Sequence, residues 1–284
     1  MIPVSFEYTS PSSLEEAFDL LSSKEDIKVL AGGQSLLPLM KLRLARPSHI
    51  LDLGGIPGLD TIRERSNSII IGAMTTHQQI ENSELLKVKC PLLPQTAATI
   101  ADVQIRNQGT IGGSLAHADP TADLPAAILA LGAEMKAVNS NGERWIKSED
   151  FFLGFLTCTL EPGEILTEIK VPVLKETKTA YLKAAQKASG FAVVGIAVCL
   201  KTNGNGSCED IAIGVTGVTD KAYRAHNVEQ KLKGKKLEIK LIEDVAAGVV
   251  KDIDVIEDIN GSKEYRSHVA QVYVARAIQA AISE

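Results

Sequence analysis

Two runs decide how this chain is read: Ile27-Lys28-Val29-Leu30-Ala31-Gly32-Gly33-Gln34-Ser35-Leu36 near the start and Gly109-Thr110-Ile111-Gly112-Gly113-Ser114 further on. In the first, a strand-like stretch runs straight into a Gly-Gly pair, and Leu36 to Leu44 behind it reads as a helix stopped by Pro47. Consecutive glycines let backbone N–H groups converge on one concavity and let a ligand approach with no Cβ in the way, which suits a diphosphate. Ser35, Thr110 and Ser114 add hydroxyl donors. Neither run is a Walker A sequence, because no Gly-Lys-Ser/Thr occurs, and neither is the Gly-x-Gly-x-x-Gly of a dinucleotide fold. One Gly-Gly pair after a strand is most often just a tight turn. Two, each with flanking hydroxyls, point to a phosphorylated cofactor that residue patterns leave unspecified.

Outward from these loops, Ser13-Leu14-Glu15-Glu16 reads as a capping box, with Leu14, Ala17, Phe18 and Leu21 forming one helical stripe. Strands are predicted over His49 to Leu53 and Ser68 to Met74, and a helical pattern carrying Pro91 and Pro94 over Leu85 to Ile100. Gln104 to Ser114 reads as a glycine-rich loop and Thr121 to Leu131 as a helix. Asn139-Ser140-Asn141-Gly142 joins strands Ala133 to Val138 and Glu143 to Ile146 as a hairpin, followed by a strand over Ile165 to Val171. The charged stretch Val171 to Lys178 marks a boundary near residue 176. Beyond it, Phe191 to Lys201 and Ile211 to Val218 are strands joined by Asn203-Gly204-Asn205-Gly206, and Leu241 to Val250 and Val269 to Ile282 are helices that cover them.

Composition narrows the function classes. The 284 residues are 45% hydrophobic and 23% charged, the balance of a folded domain protein of two or three subdomains. With 30 basic against 35 acidic side chains the net charge is -5, so the chain offers no basic field for nucleic acid. Cys90, Cys158, Cys199 and Cys208 are scattered with no Cys-x-x-Cys, which argues against a zinc or iron–sulfur site in this chain and against a secreted disulfide framework. No apolar run reaches membrane-spanning length and the N-terminus lacks a signal-peptide pattern, so the expectation is a cytoplasmic protein with no membrane span.

The residues carry a more specific resemblance. Ala31-Gly32-Gly33-Gln34-Ser35-Leu36-Leu37-Pro38, Ile105-Arg106-Asn107-Gln108-Gly109-Thr110-Ile111-Gly112-Gly113-Ser114-Leu115-Ala116, Asp119-Pro120-Thr121-Ala122-Asp123-Leu124-Pro125 and the tail Gly261-Ser262-Lys263-Glu264-Tyr265-Arg266 are similar to the signature segments of one family. It is the FAD-binding medium subunit of the molybdenum hydroxylases, the carbon monoxide dehydrogenase, xanthine dehydrogenase and aldehyde oxidoreductase group. The resemblance implies an α+β fold: a vanillyl-alcohol-oxidase-type (PCMH-like) FAD-binding domain over 1–176, in subdomains of about 1–55 and 56–176. A C-terminal domain with a three-stranded antiparallel sheet and helices follows over 177–284.

It implies FAD in this chain, with the molybdenum cofactor and [2Fe-2S] clusters on large and small partner subunits, in a dimer of heterotrimers. Electrons would pass from those clusters through FAD to an external acceptor; the alternative is a free-standing FAD-dependent oxidoreductase of the same fold. The flavin carries the redox chemistry, so no catalytic side chain is expected. Carried over residue by residue, the cofactor contacts are Ala31, Gly32, Gly33, Gln34, Ser35 and Leu36 on the first loop and Thr110, Gly112, Gly113 and Ser114 on the second. Ala101 and His117 lie nearby, Asp123 at the adenosine ribose, and Leu166 and Lys187 beside the flavin ring. Gln34 stands where carbon monoxide dehydrogenases commonly carry His, and Phe191 where some relatives carry Tyr. His77 reads as a structural histidine, Arg106 as a brace of the second loop or a phosphate contact, and Asp123 equally as a first-turn carboxylate favoured by the helix dipole.

Overall fold

A computed structural model of the chain describes residues 2–283. Its first unit is a small parallel sheet of β1 (Glu7–Thr9), β2 (Ile27–Leu30) and β3 (His49–Asp52) in the order β1-β3-β2, with α1 (Leu14–Ser23) and α2 (Leu36–Lys41) as connections. Ser13 caps α1 by accepting from Glu16 N at 3.2 Å. The Glu16 carboxylate returns not to Ser13 but to Ser12 N at 2.8 Å, so the expected capping box closes one residue early. Ala17 and Phe18 on α1 bury against Leu51, Leu53, Ile56 and Leu59. Leu30 pairs with Asp52, so the segments leaving β2 and β3 emerge side by side at the carboxyl edge, where open parallel sheets bind ligands.

The second unit is an antiparallel five-stranded sheet, β4-β5-β10-β6-β7. It is built from β4 (Ile62–Arg65), β5 (Ser68–Gly72), helices α3 (His77–Asn82), α4 (Glu84–Lys89), α5 (Leu92–Ala97), α6 (Val103–Gln108), α7 (Ile111–His117) and α8 (Leu124–Ala130), then β6 (Glu134–Asn139), β7 (Gly142–Lys147), α9 (Ser148–Phe151), the hairpin β8 (Phe152–Gly154) and β9 (Thr157–Cys158), and β10 (Ile165–Pro172). Ile69, Ile71, Met135, Ala137, Ile169 and Val171 alternate onto the buried face. The other face carries ion pairs, Lys170 with Glu134 (2.6 Å) and Lys136 with Glu143 (2.5 Å), around Trp145. The helical pattern over Leu85 to Ile100 is divided between α4 and α5, because Cys90 precedes Pro91 and leaves the α region at φ -153°, ψ 61°. The glycine-rich loop expected over Gln104 to Ser114 is also mostly helical, in α6 and the first half of α7.

The third unit is a sheet of β11 (Lys178–Ala185), β12 (Ala192–Thr202), β13 (Cys208–Thr216) and β14 (Tyr223–Arg224), all antiparallel, with α10 (His226–Leu232), α11 (Ile239–Ala246) and α12 (Lys263–Ser283) packed on it. The sheet has four strands rather than the expected three. The fourth, β14, adds two residues at the edge beside β13. Helix α8 is buried along its whole length because it lies between this sheet and the second unit. The segment before α8 is stitched to the third unit by Ala192 N to Thr121 O (3.1 Å), Gly217 N to Pro120 O (2.7 Å) and Thr216 Oγ1 to Pro120 O (2.6 Å).

The tail motif is explained by packing. Ser262 Oγ accepts from Tyr265 N at 3.3 Å at the start of α12, and the fully buried Arg266 donates through Nη1 to Val193 O (2.8 Å) and Gly217 O (2.7 Å) and through Nη2 to Asp258 (2.5 Å). Arg266 therefore ties the last helix to the ends of β12 and β13. Replacing it by Leu strands two buried strand-end carbonyls, and we expect a loss of about 3 kcal/mol, measured as a lower denaturant midpoint; an unchanged midpoint would refute this role.

Candidate functional site

The first glycine loop leaves β2 and turns into α2. None of the N–H groups of Gly32, Gly33, Gln34, Ser35 and Leu36 donates to an acceptor within the described residues, whereas the carbonyls of Gly33 and Ser35 accept from Leu37 N (3.0 Å) and Leu39 N (3.2 Å). Half-buried backbone donors without partners are rare in folded proteins, and five in succession make a nest for an anion. Gly33 lies at φ +72°, the left-handed conformation that turns the chain here, with the Leu37 side chain 3.0 Å from where a Cβ would stand. Ser35 makes no capping bond, so its hydroxyl is also uncommitted.

The second motif is built differently. Thr110 caps α7, its Oγ1 accepting from Gly113 N at 3.1 Å, while Ile111 N donates to Thr75 O (3.0 Å), Gly112 N to Ala73 O (2.8 Å) and Ser114 N to Thr110 O (3.0 Å). The first-turn N–H groups of α7 are thus all used inside the chain, and the glycines serve packing. A Cβ on Gly112 would lie 2.5 Å from Ala73 Cβ and 2.6 Å from Ala73 O. A Cβ on Gly32 would collide with the Gln108 carbonyl and stand 2.8 Å from Gly109 Cα, so the two motifs meet backbone to backbone. Ser114, half-buried on the first turn of α7, has an unengaged hydroxyl.

His77 supports this contact from below. Its N–H donates to Gly109 O at 2.9 Å, its ring leaves no room for a Cβ on Gly109, and it is 6% exposed with Nδ1 unpaired. Burial first, then the Arg106 guanidinium, push the imidazole from 6.5 down to about 4. It is a neutral structural ring at physiological pH, as its sequence context suggested. Arg106 braces the segment before α6, pairing through Nε with Glu81 (2.8 Å) and donating through Nη1 to Ile100 O (3.0 Å).

The remaining sequence-predicted residues are distributed around this contact. His117, half-buried, ends α7 and is followed by Ala118 at φ 50°. Leu166 is buried on β10, next to Thr167, whose carbonyl accepts from Ala73 N beneath Gly112. Ala101 is exposed at φ 39°, and Lys187 is exposed in the turn Gln186–Gly190, whose Gly190 faces Ala101. Asp123 is 5% exposed and makes no capping bond to α8; its carboxylate accepts from Tyr181 Oη (2.5 Å) and pairs with Lys183 Nζ (3.0 Å). Burial raises the Asp123 carboxyl above its ordinary range, opposed by Lys183 and Tyr181. Tyr181 and Lys183 escaped sequence reading because β11 itself did: its lysines and alanines have little β preference, and only their i, i+2 spacing on one strand hinted at a shared face.

Two outcomes follow from this geometry. Gly112→Ala has no space against the Ala73 backbone, so it should destabilise the fold itself by about 1–3 kcal/mol, seen as a lower melting temperature before any ligand is added. His77 protonates in the unfolded chain from pH 6.5 downward but in the folded chain only near 4. The unfolded state therefore binds the extra proton in that window, and stability falls on acidification from 6.5 to about 4, by about 3 kcal/mol from this group. His77→Leu should flatten that part of the stability–pH curve, and an unchanged slope would refute the assignment.

Similarity to known proteins is end to end. Residues 4–174 match the family described as "FAD binding domain in molybdopterin dehydrogenase" and residues 179–281 the "CO dehydrogenase flavoprotein C-terminal domain". The chain is 39% identical over 279 residues to the glyceraldehyde dehydrogenase medium chain of Sulfolobus acidocaldarius, covering 98% of this chain and 99% of that one. It is 39% identical over 283 residues to the carbon monoxide dehydrogenase medium chain of Hydrogenophaga pseudoflava, covering 99% and 98%. A solved structure of carbon monoxide dehydrogenase from the latter organism superposes with a TM-score of 0.97 at 40% identity, covering 100% of this chain and 99% of that one.

Proposed function

The chain belongs to the FAD-binding medium subunits of the molybdenum hydroxylases, and from that premise we propose that it holds FAD between its first two units and hands electrons from partner [2Fe-2S] clusters to an external acceptor. The observation that carries the residue-level reading is the run of five unpartnered N–H groups from Gly32 to Leu36 pressed against the α7 motif. Its chemistry fits a diphosphate: donors only, fixed by backbone, at the carboxyl edge of a parallel sheet. When bound, FAD supplies the redox step that couples single-electron carriers to the acceptor.

The chain's own residues then bind and orient. Ala31 to Leu36 wrap the diphosphate, with the Ser35 hydroxyl as a further donor. Thr110, Gly112 and Gly113 hold the opposite wall rigid, and Ser114 and His117 offer side-chain hydrogen bonds from α7. Leu166 supplies apolar wall, while Ala101 and Lys187 border the ring. Asp123, saturated by Tyr181 and Lys183, contributes to the ribose side through the position it imposes on its neighbours rather than as a free carboxylate. Residues 1–176 form the cofactor-binding domain of vanillyl-alcohol-oxidase type, split near residue 55, and 177–284 the C-terminal domain; the two family matches, ending at 174 and starting at 179, support that division.

A large molybdenum subunit and a small [2Fe-2S] subunit complete the enzyme, as a cytoplasmic dimer of heterotrimers. The substrate is bound by the molybdenum partner, and relatives named for carbon monoxide and for glyceraldehyde support placing substrate choice outside this chain. No helix among the described residues is long and apolar enough to cross a membrane. Expressed with its partners, the protein should show visible flavin absorbance and release FAD on denaturation. Gly33→Val, which forces a β-branched residue into the left-handed region against the Leu37 side chain, should lower FAD content about tenfold or more, alongside a moderate fall in the melting temperature of the apoprotein from the same strain. Absence of flavin from the native complex would sink the reading.

A further inference from the structure

Thr99, Ile100 and Ala101 connect α5 to α6, and two cations hold their carbonyl oxygens. Lys183 Nζ donates to Thr99 O at 2.6 Å, and Arg106 Nη1 donates to Ile100 O at 3.0 Å and reaches Ala101 O at 3.5 Å. The other Lys183 bonds go to Gly190 O (2.7 Å) and Asp123 Oδ2 (3.1 Å), and its side chain is 6% exposed. A buried ammonium is tolerated only when its charge is paired and its three N–H groups are bonded, and here both conditions hold. Lys183 lies on β11 in the third unit, whereas Thr99 and Asp123 lie in the second, so the contact crosses the junction between them.

The segment so held is strained. Ala101 sits at φ 39°, a left-handed conformation that costs an L-residue about 1–2 kcal/mol. Such a residue persists only where its surroundings over-determine it. Across from it, Gly190 is at φ +75°, and a Cβ there would stand 3.1 Å from Ala101 Cα, so the Gln186–Gly190 turn bears directly on the strained residue. One lysine is bonded to both sides of that contact. Asp123 and Tyr181 neutralise and orient the lysine, and Glu81 does the same for Arg106.

We propose that Lys183, assisted by Arg106, is a positioning residue that locks Ala101 against the Lys187-bearing turn and so sets one wall of the flavin site across the domain junction. The proposal deepens the FAD reading above and rests on it through the assignment of Ala101 and Lys187. It gives β11 a part in cofactor binding, through which the C-terminal domain fixes the wall that its own Lys187-bearing turn helps to form.

The test uses the complex purified with its partners, as wild type, Lys183→Met, Lys183→Arg and Arg106→Lys. The readouts are FAD dissociation, the visible flavin spectrum, amide hydrogen exchange over residues 99–103 and 186–191, and melting temperature. Lys183→Met should bind FAD about tenfold or more weakly, alter the flavin band and speed exchange in both segments, and Lys183→Arg should recover most of the affinity and the wild-type spectrum. A Lys183→Met protein with a lower melting temperature but wild-type affinity and spectrum would overturn the proposal, leaving the lysine a purely structural one. If Lys183→Met does not fold, Arg106→Lys decides: faster exchange over 99–103 with weaker FAD retention supports the clamp, and neither change overturns it. A wild-type complex without flavin would defeat the FAD reading and this proposal's link to it, whereas flavin-replete wild type with unaltered exchange in the variants would defeat the clamp alone.

Discussion

The contact on which the site depends is backbone against backbone: Gly32 on the Gln108–Gly109 peptide, with Gly112 on Ala73 behind it. These approaches are closer than any side chain allows, so the glycines hold together two motifs that lie on different units. Because the N–H groups of the α7 turn are spent on Thr75, Ala73 and Thr110, the free backbone donors are those of the first loop, where Gly32 to Leu36 have no acceptor among the described residues. The two motifs look alike as sequence and divide the work as structure. One presents donors, and the other is the rigid surface that holds them in place.

The C-terminal unit is bound to this arrangement by polar contacts concentrated on short segments. The carbonyls of Pro120, Thr121 and Ala122 take donors from Ala192, Thr216 and Gly217, and Arg266 anchors α12 to these same ends of β12 and β13 through the carbonyls of Val193 and Gly217. Asp123, one residue further, completes the junction with Tyr181 and Lys183 in a nearly dry environment. Buried charges of this kind contribute little net stability compared with apolar packing, but they tolerate few alternative arrangements. That property suits a junction between units whose geometry has to stay fixed.

Much of the architecture was legible. The β-branched run over Ser68 to Met74 and the strand stretches Ala133 to Val138 and Ile165 to Val171 all stand in the central sheet, and the Asn-Gly turn at Asn141-Gly142 sets a hairpin register. The failures have physical causes. Cys90-Pro91 splits a helix whose apolar pattern continues through the break, α6 hides in a polar stretch opened only by the Asp102 cap, and β11 is made of residues that gain a strand conformation from their neighbours. Asp123 was legible as a residue at the start of a helix, but its partners were not, because Tyr181 and Lys183 are separated from it by most of the second unit's sheet.

By itself the sequence determined the family, the three-unit order of elements and the two glycine motifs, since these rest on local composition, periodicity and residue-by-residue likeness. Only the tertiary structure decided which motif has free donors, why Gly112 tolerates no side chain, and that a lysine on β11 holds the carbonyl of Thr99. Those outcomes depend on how peptide groups distant in sequence share a limited set of hydrogen-bond acceptors. Such sharing is settled when the units pack, and no local pattern records it.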